Sequence, residues 1–103
     1  MRQSGSWMTI WDDRILEYID QEESGSPAEL KKSGYLKVSK SHISRRLRKL
    51  AEHGLLQHLG NGVYIITDEG EAYLEGDYNA ETETYIDESS GSPSASPEEV
   101  NGS

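Results

Sequence analysis

From residue 9 to residue 76 the chain is a series of blocks in which apolar positions recur three and four apart, separated by short breaks rich in Ser, Gly and Asn. Such blocks predict short amphipathic helices. Thr9 opens the first, with its hydroxyl set to cap the N–H of Asp12, and Asp12 and Asp13 stand where acidic side chains suit a helix start. Trp11, Ile15, Tyr18 and Ile19 then form one apolar face, and Gln21-Glu22-Glu23-Ser24-Gly25 ends the block. Ser26-Pro27-Ala28-Glu29 opens a second, short helix with Ser at the cap, Pro at its first position and Glu reaching back, anchored by Leu30 and ended by Gly34. An apolar turn, Tyr35-Leu36-Lys37-Val38, leads to Ser39 as the next cap. The helix from Lys40 to His53 places Ile43, Leu47, Leu50 and Ala51 on one face, and Gly54 stops it.

The period then changes from helical to extended. Residues 55–59 and 63–66 predict two strands joined through Gly60-Asn61-Gly62, whose Asn-Gly pair is a hairpin signal. Thr67 caps a last helix, with Asp68 and Glu69 in its first turn, Ala72, Tyr73 and Leu74 at the core, and Gly76 as terminator. The expected fold is α+β: three helices, a two-stranded β-hairpin and one C-terminal helix. Of the 19 Leu, Ile and Val residues, 17 lie within 7–76, which sets the domain there. Residues 1–6 are expected to form a flexible N-terminus. Residues 77–103 are expected to be a disordered acidic tail, because the Ser/Pro run at 89–97 and the acids around it hold too little apolar area to offset chain entropy, with Tyr78, Tyr85 and Ile86 docking back or forming a short pairing helix as the minor alternative.

Composition narrows the function. Only 33% of the 103 residues are apolar and Phe is absent, which disfavours the large buried cavity of an ordinary enzyme. There is no Cys, which removes thiol catalysis, disulfides and Cys-ligated metals. His42, His53 and His58 do not share a helix face, so no metal site is expected. No cofactor and no catalytic set is expected either. Acidic neighbours such as Asp12-Asp13, Glu22-Glu23 and Asp68-Glu69 read as helix-start and solvating charges. Without a span of 18 apolar residues or an apolar leader, the chain is expected to be soluble and cytoplasmic.

The formal net charge of −9 argues at first against nucleic acid, but it is an average. Residues 1–30 carry two basic and seven acidic side chains, residues 31–58 eight basic and one acidic, and residues 59–103 eleven acidic and none basic. A segment of +7 thus stands between −5 and −11, and fields act locally. The basic segment coincides with the third helix, where Ser41, His42, Arg45, Arg48 and Lys49 project away from the apolar stripe.

Two helices joined by a tight turn, the second basic outside and followed by a hairpin, form a helix-turn-helix with a wing, which suits the major groove of duplex DNA. The candidates for base contact are Lys40, Ser41, His42, Arg45 and Arg46. Ser39, Ser44, Arg48 and Lys49 are candidates for phosphate contact, and Gln57, His58, Asn61 and Tyr64 for contact from the wing. Because Gly60-Asn61-Gly62 carries no charge, the wing reads equally as a purely structural hairpin. The stretch Val38 to Leu56 resembles the recognition helix and strand entry of winged-helix transcription regulators. Together with Trp11-Asp12-Asp13-Arg14-Ile15-Leu16-Glu17, Gly60-Asn61-Gly62-Val63-Tyr64 and Thr67-Asp68-Glu69-Gly70-Glu71-Ala72-Tyr73-Leu74, it is similar to small haloarchaeal regulators related to the phage phi-H repressor. That resemblance implies a winged-helix repressor of transcription, working in a salt-loving archaeon and often as a homodimer on palindromic sites. Trp7 and Trp11 on the N-terminal helix, or the C-terminal helix, are the candidate dimer surfaces. Trp11 is most simply core, and a ligand-sensing role is the sharper alternative. The competing function is a winged-helix scaffold whose basic face meets an acidic protein in a transcription complex.

Overall fold

The computed structural model describes residues 1–86. Its elements are α1 (Ile10–Glu22), α2 (Pro27–Ser33), α3 (Lys40–Glu52), β1 (Leu56–Gly60), β2 (Val63–Ile66), α4 (Asp68–Glu75), β3 (Tyr78–Asn79) and β4 (Thr84–Tyr85). The first six are the elements expected from the polar and apolar pattern, in the same order. Three of the expected caps form: the hydroxyls of Ser26, Ser39 and Thr67 accept from the N–H of Glu29, His42 and Gly70 at 3.2, 3.1 and 3.0 Å. At α1 the Asp12 N–H donates to the Thr9 carbonyl at 3.0 Å, and the Thr9 N–H donates to the Asp12 carboxylate at 3.1 Å.

Ile15, Leu16 and Ile19 of α1 meet Leu30 of α2, Ile43, Leu47 and Leu50 of α3, and Leu55 just before β1, all with no solvent exposure. The buried stripe of α1 also includes Asp12, so it runs 12, 15, 16, 19. It is turned about one position from the expected stripe, and Trp11 and Tyr18 are left half-buried at its edge. The wing pairs antiparallel with Leu56 opposite Ile66, Gln57 opposite Ile65 and His58 opposite Tyr64, and a bulge between His58 and Gly60 shifts the register toward the tip. Gly60, Asn61 and Gly62 all have positive φ, the conformation for which glycine and asparagine are suited. On the other edge of β2, Gly25 and Tyr64 exchange backbone hydrogen bonds of 2.9 and 2.8 Å, so the α1–α2 linker covers that edge.

Two expectations about the ends are corrected. Residues 1–6, expected to be flexible, pack on the domain: Arg2 Nε donates to the Leu74 carbonyl at 3.1 Å, the hydroxyls of Ser4 and Tyr73 lie 2.8 Å apart, and the Ala80 N–H donates to the Gln3 carbonyl at 2.9 Å. Residues 77–86, assigned in sequence to a disordered tail, form a second small hairpin in which Tyr78 pairs with Tyr85 and Asn79 with Thr84. Tyr78 and Ala80 are buried in the same core. The ordered unit therefore begins before residue 7 and runs past residue 76. The remainder of the expected tail, residues 87–103, lies outside the described residues.

Candidate nucleic-acid interface

Ile43, Leu47 and Leu50 point into the core and fix the rotation of α3. That rotation leaves Lys40, Ser41, Arg45 and Arg48 exposed, with Ser44 and Lys49 half-buried at the edges of the same face. The turn before α3 is held from both sides. Leu36 is buried beneath it, and Lys31 Nζ at the end of α2 donates to the Val38 carbonyl at 2.9 Å. Ser39 caps α3 with an oxygen that also lies 3.3 Å from the Ser41 hydroxyl. Two hydroxyls and the start of a helix thus share one end of the face, an arrangement suited to phosphate oxygens.

The charges are partitioned. Among the described residues the ion pairs are Arg2 with Asp13 and Glu17, Arg14 with Glu17, Arg46 with Asp12, and His53 with Glu83. Apart from Arg46 and the His53 contact, these pairs involve only N-terminal and α1 residues. Lys31, Lys32, Lys37, Lys40, Arg45, Arg48 and Lys49, which are all the remaining lysines and arginines of the chain, form none among the described residues. Among the described residues the helix-turn-helix thus presents its positive charge to solvent instead of to carboxylates. Lys31, Lys32 and Lys37 were not singled out among the sequence candidates, although the +7 segment contained them.

Arg46 is a correction. Placed in sequence among the base-contacting residues, its guanidinium instead faces α1. Nε and Nη2 donate to the two carboxylate oxygens of Asp12 at 2.8 and 2.6 Å, and Nη2 also donates to the Trp7 carbonyl at 2.9 Å. The Asp12 side chain is fully buried. Hydrogen bonding to that carboxylate raises the Arg46 pKa, against the opposing effect of burial. A buried carboxylate requires a partner, and the planar fork of arginine provides a two-point match. A carboxylate at position 12 of an otherwise apolar 12, 15, 16, 19 stripe was the sequence signal for this pair.

His42 is half-buried. Its Nε2 is enclosed without a hydrogen-bond partner, while Nδ1 lies 3.5 Å from Arg45 Nη2, so the ring borders the exposed face and does not stand on it. Tyr64, expected to reach out from the wing, is buried at 6% exposure with its ring stacked on His58 at 4.6 Å. Gln57, His58 and Asn61 are exposed. So is Leu59, at 55%, an apolar residue beside the wing tip. The half-buried Trp7 ring stacks on His53 at 3.8 Å and 7°, and His53 Nδ1 lies 2.8 Å from a Glu83 carboxylate oxygen, which ties the end of α3 to the second hairpin.

Among the described residues no three His, Asp or Glu side chains gather as a metal site would require. No described helix is long and apolar enough to cross a membrane.

The sequence profile of the winged helix-turn-helix phage repressors matches residues 1–84. Among curated proteins none matches. Two solved structures are similar. The PhiH1 repressor-like protein from Haloarcula marismortui is 66% identical, with a TM-score of 0.83, over 84% of this chain and 98% of that one. The reduced form of MarR from E. coli is 30% identical, with a TM-score of 0.59, over 68% of this chain and 51% of that one. This chain therefore matches only about half of the MarR polypeptide.

Proposed function

The chain belongs to the winged helix-turn-helix phage repressor family, and from that premise we propose that it is a sequence-specific duplex-DNA-binding regulator, acting as a repressor in the cytoplasm, with α3 reading the major groove. The observation that carries this reading is the partition of charge. In a protein of net charge −9, seven cations of α2, the turn and α3 are left without carboxylate partners among the described residues. An acidic protein with no anionic partner for that face has many carboxylates available to neutralise it.

Within this reading Lys40, Ser41 and Arg45 meet base edges, with Arg45 providing the two-point match to guanine O6 and N7. His42 borders this group and contributes through its Nδ1 edge. Ser39, Ser44, Arg48 and Lys49 hold phosphates, joined by Lys32 and Lys37 on the flank. The wing adds neutral contacts from Gln57, His58 and Asn61. Two copies on a palindromic operator would place their α3 helices in major grooves one helical turn apart.

Gel-shift titration against genomic fragments in high KCl tests the reading. Selective retardation of a few fragments, with a two-fold symmetric footprint, is the expected result. Uniform weak binding or none, together with an acidic protein that co-purifies through the same face, would assign the domain to a scaffold in a transcription complex instead.

A further inference from the structure

The described residues end beside the basic face. Ile86, the last of them, follows β4, and its N–H donates to the Asp77 carbonyl at 2.9 Å. Three positions earlier, a Glu83 carboxylate oxygen lies 2.8 Å from Nδ1 of His53, the C-cap of α3. Residues four apart on a helix share a side, so Ser41, Arg45, Lys49 and His53 form one row along α3. The chain therefore leaves the second hairpin at one end of a row that runs through Lys49 and Arg45 to Ser41, at the hydroxyl-lined start of the helix. Neither cation of the row forms an ion pair among the described residues.

The sequence that follows Ile86 has the complementary charge and the necessary length. Residues 87–103 contain Asp87, Glu88, Glu98 and Glu99, no Lys or Arg, and besides Pro93 and Pro97 only Ala95 and Val100 as apolar side chains. Charge is therefore the main means by which they can bind. A helix of 13 residues is about 20 Å long, and the steps from Ile86 to Glu98 span up to about 40 Å of extended chain. Asp87 and Glu88 thus fall at the Lys49 end of the row. Glu98 and Glu99 can reach the start of α3, where Lys40 and the positive end of the helix dipole favour an anion. We propose that residues 87–103 lie along this row of α3 and occupy it when DNA is absent. Tethering selects this occupant over a free acidic segment, because a contact within one chain forms at an effective concentration of about millimolar. The regulatory consequence rests on the DNA-binding reading, whereas the contact itself does not. Duplex DNA carries one charge per about 1.7 Å and displaces the four carboxylates, but its apparent affinity is reduced by the fraction of molecules whose face is free.

Because the chain has no Cys, Ser94→Cys gives a single attachment point for a nitroxide in the full-length protein. In about 0.1 M KCl, paramagnetic broadening of amide NMR signals should concentrate on Ser41, Arg45 and Lys49 and spare Asp20 and Glu71, which line the groove between α1 and α4. It should fade near 1 M KCl, where the screening length falls to about 3 Å. It should also be lost when Asp87→Asn, Glu88→Gln, Glu98→Gln and Glu99→Gln are combined. That variant should bind an unrelated duplex about threefold more tightly than the parent at the lower salt, a difference that shrinks as KCl rises. Asp20→Asn with Glu71→Gln and Glu75→Gln, a control for net charge, should change the affinity far less. Broadening spread evenly over the surface, broadening unaltered by the four neutral substitutions, or equal gains in the control variant would each overturn the proposal. So would broadening that dilution removes, since the segment of a second copy would then be the occupant. A protein that shows the localised broadening but binds no duplex would overturn the DNA-binding reading and leave the contact supported.

Discussion

Asp12 and Arg46 carry the strongest lesson at the scale of single residues. Asp12 is fully buried and Arg46 17% exposed at the side chain, so removing one partner strands a charge in the core. Arg46→Met should therefore cost about 3–5 kcal/mol of unfolding free energy, whereas the double variant Asp12→Leu with Arg46→Met should recover most of it. Urea denaturation of the three proteins checks this, and a double variant as unstable as the single one would mean that the pair contributes more than mutual compensation. Tyr73 offers a pH-dependent counterpart. Burial first, then donation of its hydroxyl to Asp13 at 2.6 Å, pushes its pKa to about 12. A folded-state pKa above the unfolded value of about 10 favours the fold fully below pH 10, and that stability is lost as pH rises from 10 to 12. Stability measured across this interval should fall by roughly 2 kcal/mol more in the wild-type chain than in Tyr73→Phe.

At the scale of elements, how closely two segments approach can override what a residue prefers locally. Gly70 lies inside α4, where helix propensity predicts that Ala would stabilise by about 1 kcal/mol. A Cβ at this position, however, would run into the carbonyl oxygen of Leu55 and lie 2.6 Å from Ile66 Cγ1. Gly70→Ala should instead lower the melting temperature, because α4 must move off the base of the wing. On α3, Arg45→Ala is expected to cost about 1–3 kcal/mol of operator affinity and to relax preference at one base pair. Arg48→Ala should weaken all sequences alike and reduce the salt dependence of binding, which affinity titrations at several KCl concentrations would separate. The caps at Ser26, Ser39 and Thr67 and the turn at Gly60-Asn61-Gly62 were legible because they depend on residues within three positions of one another. Strands β3 and β4 were not, since two residues each, in a polar context, leave no period to read.

At the scale of the whole molecule the termini stabilise the domain. Deleting residues 1–6 removes the Arg2 bonds to Glu17 and Leu74, the Ser4–Tyr73 contact and the Gln3–Ala80 bond. The truncated chain should melt several degrees lower, since 1 kcal/mol corresponds to about 4–8 °C in a domain of this size. An unchanged melting temperature would restore the flexible terminus that the sequence suggested. The charge segregation also acquires a structural meaning at this scale. Arg2, Arg14 and Arg46 pair with carboxylates of α1, and among the described residues the cations from residue 31 to residue 49 other than Arg46 take part in no ion pair.

The sequence by itself determined the order of elements, the helix caps, the hairpin and the location of the basic band, because each depends on local spacing or on a sum over consecutive residues. Only the tertiary structure decided which of two adjacent arginines faces the exposed surface, that Tyr64 turns inward, and that both ends of the domain pack on its core. Those outcomes depend on which side chain meets a partner far away along the chain: Asp12 lies 34 positions from Arg46, and Ser4 lies 69 from Tyr73. A buried carboxylate must find its cation wherever the fold brings one, and no periodicity along the chain records that distance.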